Sequence, residues 1–175
     1  MKHPDLAQSR IALADSVVLA FACVVTYLLA TKLLSWVHSV SAADDLLGGM
    51  WAVIATIFVN RSTYQESVSA AVSRLAATFV SFVYCLIYLT FLPFHTWGLA
   101  LLVGVSALTA TLIGRPGDAI TAAITTTVVL VVAEVSPQGA WEQPILRLAD
   151  TVIGVAVGLA SAWIDQRLIR PRIPQ

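Results

Sequence analysis

The sequence predicts an all-α integral membrane protein, with six transmembrane helices arranged as two inverted-topology three-helix repeats. Three observations predict it. Only 11% of the 175 residues are charged and 58% are hydrophobic, where an ordinary soluble domain carries about a quarter charged residues. The apolar residues gather into runs long enough to cross a bilayer, separated by short stretches rich in Gly, Pro, Ser and Asp. Finally, one charged phrase opens two of the runs, as "RLAAT" at 74–78 and "RLADT" at 147–151.

The first run, 11–36, carries Asp15 near its start and Lys32 near its end. It is preceded by Lys2 and Arg10 and followed by "SVSAAD", which imitates a secretory signal cleaved after Ala42. Signal cores run about 7–15 residues, so this longer run is expected to be a retained span. The second run, 44–60, begins at Asp44 and Asp45 and holds Trp51. The third, 68–91, follows "NRSTYQES", with Ser67 as a candidate cap, and contains Arg74. The fourth, 97–113, lies between "LPFHT" and "GRPGD". The fifth, 118–135, has Asp118 as a candidate cap and includes "TAAITTT". The sixth, 144–165, follows "SPQGAWEQP" and carries Arg147, Asp150 and the GxxxG pair Gly154 and Gly158. Helices are expected because an open sheet leaves backbone groups unsatisfied in lipid, and the two-residue alternation of a membrane barrel is missing. The whole chain, 1–175, is expected to be one membrane domain, with repeat one at 11–91, repeat two at 97–165 and a basic tail at 166–175.

Basic residues set the expected orientation. With both termini cytoplasmic, Lys2, Arg10, Arg61, Arg74, Arg115, Arg167, Arg170 and Arg172 fall inside, leaving only Lys32 and Arg147 outside. The loops near Asp44, His95 and Gln138 are then external. The tail reads as a topology anchor in preference to a lipid-binding switch.

Aligning Arg74 on Arg147 pairs Leu75 with Leu148, Ala76 with Ala149, Thr78 with Thr151, Ser81 with Gly154 and Cys85 with Gly158. Each arginine opens the last helix of a three-helix set. Three is odd, so the second set enters the membrane from the opposite side, as in inverted-repeat transporters. Residues at this spacing share one helix face. The small residues on both faces are expected to bring the third and sixth helices together.

Ionisable groups inside spans are candidates for function. Arg147 and Asp150 are expected to pair; the pair serves either function or the joining of the repeats. Asp15 is a candidate proton-coupling carboxylate, or a partner for Arg10, Arg74 or Arg115. Lys32 is expected to snorkel to the interface. Thr121 and Thr125–Thr127 either line a polar path or bond back to their own helix. Trp36, Trp51, Trp97, Trp141 and Trp163 form an expected aromatic belt. Trp51, the most interior, is the candidate for stacking on an aromatic solute.

Zero net charge gives no reason to expect nucleic-acid binding. Cys23 and Cys85 lie in apolar runs and read as small hydrophobes. His3, His38 and His95 are scattered without ligand spacing, so no metal and no other cofactor is expected. "GRPGD" lacks a phosphate-loop frame. No nucleophile–base constellation is present, so no catalytic site and no enzyme activity are expected.

"GGMWAVIATIFVNRSTYQESVSAAVSRLAATFVS" and "RLADTVIGVAVGLASAWI" resemble the second, third and sixth helices of the fusaric acid resistance and aromatic acid exporter family. The resemblance covers about 14–165, with Arg147, Asp150, Thr151 and Gly154 at the family's sixth-helix positions. Ala77 and Ser81 stand where the family's third helix usually has glycine. The sequence presents one six-helix unit, without the family's large cytosolic domain or the second six-helix unit of longer members.

The resemblance implies export of aromatic and other hydrophobic organic anions across a bacterial inner membrane. Arg74 and Arg147 would attract the anion, Trp51 would stack on its ring, and Asp150 or Asp15 would carry a coupling proton. Beyond the lipid bilayer and a small organic-anion substrate, the expected partner is a second copy, a homodimer being favoured. The alternatives are a passive organic-anion channel and a non-transporting assembly subunit.

Overall fold

The structure, a computed structural model, describes residues 6–37, 42–135 and 139–169. Six α-helices make up most of them: α1 Leu6–Val37, α2 Ala42–Val59, α3 Tyr64–Phe91, α4 Thr96–Leu112, α5 Ala119–Val135 and α6 Gln143–Ile164. Short 3-10 turns at Pro116–Asp118 and Ala140–Glu142 lead into α5 and α6, and a π-helical turn, Asp165–Ile169, follows α6. No strand occurs among the described residues. His3, His38, Gln138, Arg170 and Arg172 lie outside the described residues.

Among the described residues, four segments are long and apolar enough to cross a membrane: Ile11–Lys32, Tyr64–Phe91, Pro116–Val135 and Ala140–Arg167. The shorter Thr96–Leu112 is also apolar. The helices expose large apolar side chains, among them Phe21, Phe58, Phe79, Leu101, Ile120 and Val152. Such surfaces are unfavourable in water and require an apolar surrounding. The protein is an all-helical membrane protein.

Helix ends follow from local chemistry. α3 begins earlier than expected because its cap is Thr63 and not Ser67. The Glu66 N–H donates to Thr63 Oγ1 at 3.2 Å, in the Thr-x-x-Glu frame of a capping box. Ser67 lies within the helix, and its hydroxyl accepts from the Arg61 N–H at 3.0 Å. α4 ends at a left-handed Gly114, φ +80°. There the Arg115 N–H reaches the Ala110 carbonyl at 2.9 Å and the Gly114 N–H reaches Thr111 at 3.1 Å, a Schellman closure. Asp118 stands just before α5, where its carboxylate receives Arg115 Nε at 2.8 Å and the Ser73 hydroxyl.

The chain divides into two compact units, and both α3 and α6 contribute to each. One comprises Met1–Ala71 with Ile153–Gln175, and the other Val72–Val152. In the first, α1 and α2 approach closely where Gly49 faces Tyr27 and Thr31; a Cβ there would come within 2.7 Å of Thr31 Cγ2. In the second, Cys85, Leu89, Leu102, Val129, Leu130 and Ala133 form an apolar core, flanked by Tyr84 and Tyr88. Gly98 makes room for the Tyr88 ring. A smaller cluster joins Ala77, Ala110 and Ala122.

Candidate functional site

The charged phrase of α6 forms one buried face. Gln143, Arg147, Asp150 and Thr151 recur at helical spacing, and all are buried. Arg147 Nη1 lies 3.1 Å from Asp150 Oδ2, with the two side chains only 2% and 0% exposed. Their sequence spacing makes this meeting possible, since i and i+3 positions adjoin on a helix. Burial requires it, because an uncompensated charge away from water is costly. The Thr151 hydroxyl donates to the Arg147 carbonyl at 2.8 Å. Gln143 escaped the sequence reading, although its place one turn before Arg147 puts it on the same face.

In the same unit, α3 carries Arg74, Thr78, Ser81 and Cys85, all buried, with Arg74 3% exposed. The two arginine faces differ chemically. Where α6 has Asp150, α3 has Ala77, as the alignment of the two phrases shows. Thr151 bonds back along its helix, whereas the buried Thr78 hydroxyl makes no hydrogen bond among the described residues.

The small residues of α3 and α6 each pack on a neighbouring helix of their own unit. In the first unit the α6 glycines meet α2. A Cβ on Gly154 would clash with the Ala52 carbonyl oxygen, and one on Gly158 would lie 3.1 Å from Val59 Cβ. The Thr56 hydroxyl donates to the Gly154 carbonyl at 3.0 Å and lies 2.8 Å from the Thr26 hydroxyl of α1. In the second unit the α3 small residues meet α5. Ser81 Oγ donates to the Ala122 carbonyl at 2.9 Å, and Cys85 Sγ lies 4.0 Å from the Thr126 carbonyl. Thr126 Oγ1 joins Ser81 Oγ at 3.0 Å and Ser106 Oγ of α4 at 2.9 Å. Each unit thus has a hydroxyl bridge tying three helices, which hydrophobic patterning cannot reveal.

The threonine run divides accordingly. Thr125 and Thr127 bond back to Thr121 and Ala123 at 2.8 and 2.9 Å, while Thr126 reaches across to neighbouring helices.

Trp51 and Asp15 belong to the first unit. Trp51 sits mid-way along α2 and is 2% exposed, so it departs from the aromatic belt that was expected to include it. Trp97, Trp141 and Trp163 are exposed. Arg167 stacks 5.7 Å from the centroid of a Trp163 ring. Asp15 lines a polar cavity of about 500 Å³ with Asn60, Arg61, Ser62, Glu66 and Asp165; Trp51 does not line it. Cys23 and Cys85 are free thiols. Among the described residues no group of three or more His, Cys, Asp or Glu side chains is placed to hold a metal ion.

Residues 29–161 match the family described as fusaric acid resistance protein-like. No curated protein and no solved structure matches the chain.

Proposed function

From the premise that the chain belongs to the fusaric acid resistance protein-like family, we propose that it exports hydrophobic and aromatic organic acids, driven by the proton gradient. The family supports membrane transport and resistance as the general role. The observation carrying the finer reading is the buried Arg147–Asp150 pair. A guanidinium binds a carboxylate through two parallel N–H donors. In the paired state Asp150 engages one end of that fork, with Oδ2 at 3.1 Å from Nη1. A substrate carboxylate takes Arg147 by displacing Asp150, and re-formation of the internal pair expels the anion. Asp150 carries the coupling proton in the half of the cycle without substrate, so that proton entry and anion exit are exchanged. Arg74 supplies the second anion-attracting charge, Trp51 a face for an aromatic ring, and Asp15 a second proton-carrying carboxylate.

The proposed framework is six spans in two inverted repeats in a bacterial inner membrane, with both termini on the cytoplasmic side and two copies forming the working protein. Corresponding contacts support the repeat. Ser81 meets Ala122, and Cys85 approaches the Thr126 carbonyl. Gly154 meets Ala52, and Gly158 adjoins the Thr56 carbonyl. The hydroxyls of Thr26 and Thr56 in one unit have counterparts in Ser106 and Thr126 of the other.

Reconstituted liposomes test the function. Imposing a pH gradient should drive uptake or release of an aromatic carboxylate, and Arg147→Lys should weaken it by losing the planar fork. Flux that ignores the pH gradient would favour a passive anion channel. The burial of the Arg147–Asp150 pair also suits a structural lock; a well-folded protein without flux would favour the assembly subunit.

A further inference from the structure

Two hollows of the first unit adjoin at Val18, and we propose that together they bind a phospholipid with a primary-amine head group, phosphatidylethanolamine. One hollow is the polar cavity of about 500 Å³ that holds Asp15, Arg61, Glu66 and Asp165. The other is an apolar groove of about 600 Å³ between α1 and α6, walled by Val17, Phe21 and Val25 on one side and Ala156, Ala160 and Ile164 on the other. Val18 lines both.

Along α1, Asp15, Ser16, Val18 and Leu19 line the cavity, while Val17, Val18, Phe21 and Val25 line the groove on a neighbouring face. Along α6, Ile164 ends the groove and Asp165, at the start of the π-helical turn, lines the cavity. Both helices lie in segments fit to cross a bilayer. The groove from Val17 to Val25 rises about 12 Å at helical pitch, within one leaflet of a hydrocarbon layer about 30 Å thick. A polar recess continued by an apolar channel matches an amphiphile with one acyl chain laid along the groove. Ala156 and Ala160 leave the space that larger side chains would fill.

Charge selects the head group. Among the described residues, three carboxylates and one guanidinium line the recess, a balance that disfavours a head group of net negative charge. An ammonium suits the carboxylates, and a phosphate suits Arg61, whose fork binds it through paired donors. A primary ammonium has three N–H donors to offer; a trimethylated one has none. The ethanolamine head group carries both required charges in one molecule. The inference depends on α1 and α6 lying in a bilayer and is independent of the export mechanism.

Native mass spectrometry of the full chain tests it. The protein is offered phosphatidylethanolamine, phosphatidylcholine and phosphatidylglycerol with identical acyl chains. One phosphatidylethanolamine per chain should be retained over phosphatidylcholine by about tenfold, the factor that one charge-assisted hydrogen bond supplies. Phosphatidylglycerol should be retained least. Asp15→Asn combined with Asp165→Asn should erase the preference for ethanolamine over choline. Arg61→Gln should weaken both, and Ala160→Trp should lower retention of every lipid. Equal retention of the three lipids by the unaltered chain, or retention of none, overturns the proposal, and neither result depends on a variant folding. Disulfide capture of a second copy through Ala160→Cys in native membranes also overturns it, by placing protein in the groove.

Discussion

Arg147 and Asp150 form an ion pair at 3.1 Å on one turn of α6, with both side chains almost wholly withdrawn from the surface. The relationship is reciprocal, because each charge is what makes burial of the other tolerable. Removing one partner by Arg147→Met or Asp150→Leu should cost about 3–5 kcal/mol. Removing both should restore stability to near the unaltered level, since apolar residues of similar size can replace a buried pair. Thermal unfolding in detergent of the two single variants and the double variant checks this. Flux by the same proteins separates the roles. A folded double variant that transports normally removes both residues from the transport site.

Gly154 should be the least replaceable glycine of α6, because a Cβ would drive into the Ala52 carbonyl of α2. Gly154→Leu should cost about 1–3 kcal/mol or more through overpacking. Gly158→Ala should be milder, since its nearest neighbour stands at 3.1 Å and is a valine side chain. Gly104→Ala has open space around it and should be neutral or gain up to about 1 kcal/mol from helix propensity. Midpoints of thermal unfolding should rank the three in that order.

The hydroxyl bridges make a sharper contrast. Thr56→Val and Thr126→Val keep volume and shape but remove the bond to a neighbouring helix, at a cost of about 1 kcal/mol each. Thr127→Val loses only a bond along its own helix and should scarcely change stability. Similar losses in all three variants would show that cross-helix bonding is not what distinguishes Thr56 and Thr126.

Orientation is open to direct labelling. A cysteine at the exposed His95 should react with an impermeant reagent from outside the cell, and one at Arg115 only after the membrane is opened. The opposite pattern would reverse the topology drawn from the distribution of Lys and Arg.

A substantial part of the candidate site was legible in the sequence. The spacing of Arg147 and Asp150 already placed them within reach on one turn, and their apolar surroundings demanded compensation. Gln143 was missed because a glutamine at the edge of an apolar run looks like a loop residue until its face is known. Thr63 was missed as the cap of α3 because Ser67 stood nearer the expected start. Trp51 is legible as the most interior tryptophan, but its burial mid-way along α2 is set by its neighbours in space.

The sequence by itself determined that the chain is helical and lives in a bilayer, and the middle of each helix, though not every start. Those properties depend on hydrophobic length, turn residues and caps, all of which act over a few neighbouring positions. It also determined the i, i+3 charge pair, which one helix makes alone. Only the tertiary structure decided which helices the small residues serve. Gly154 and Gly158 on α6, like Ser81 and Cys85 on α3, announce close approach without naming a partner. The partners, α2 and α5, follow from backbone carbonyls and single hydroxyls meeting at a few ångströms. Such contacts join positions far apart in the chain, and no periodicity in the sequence records them.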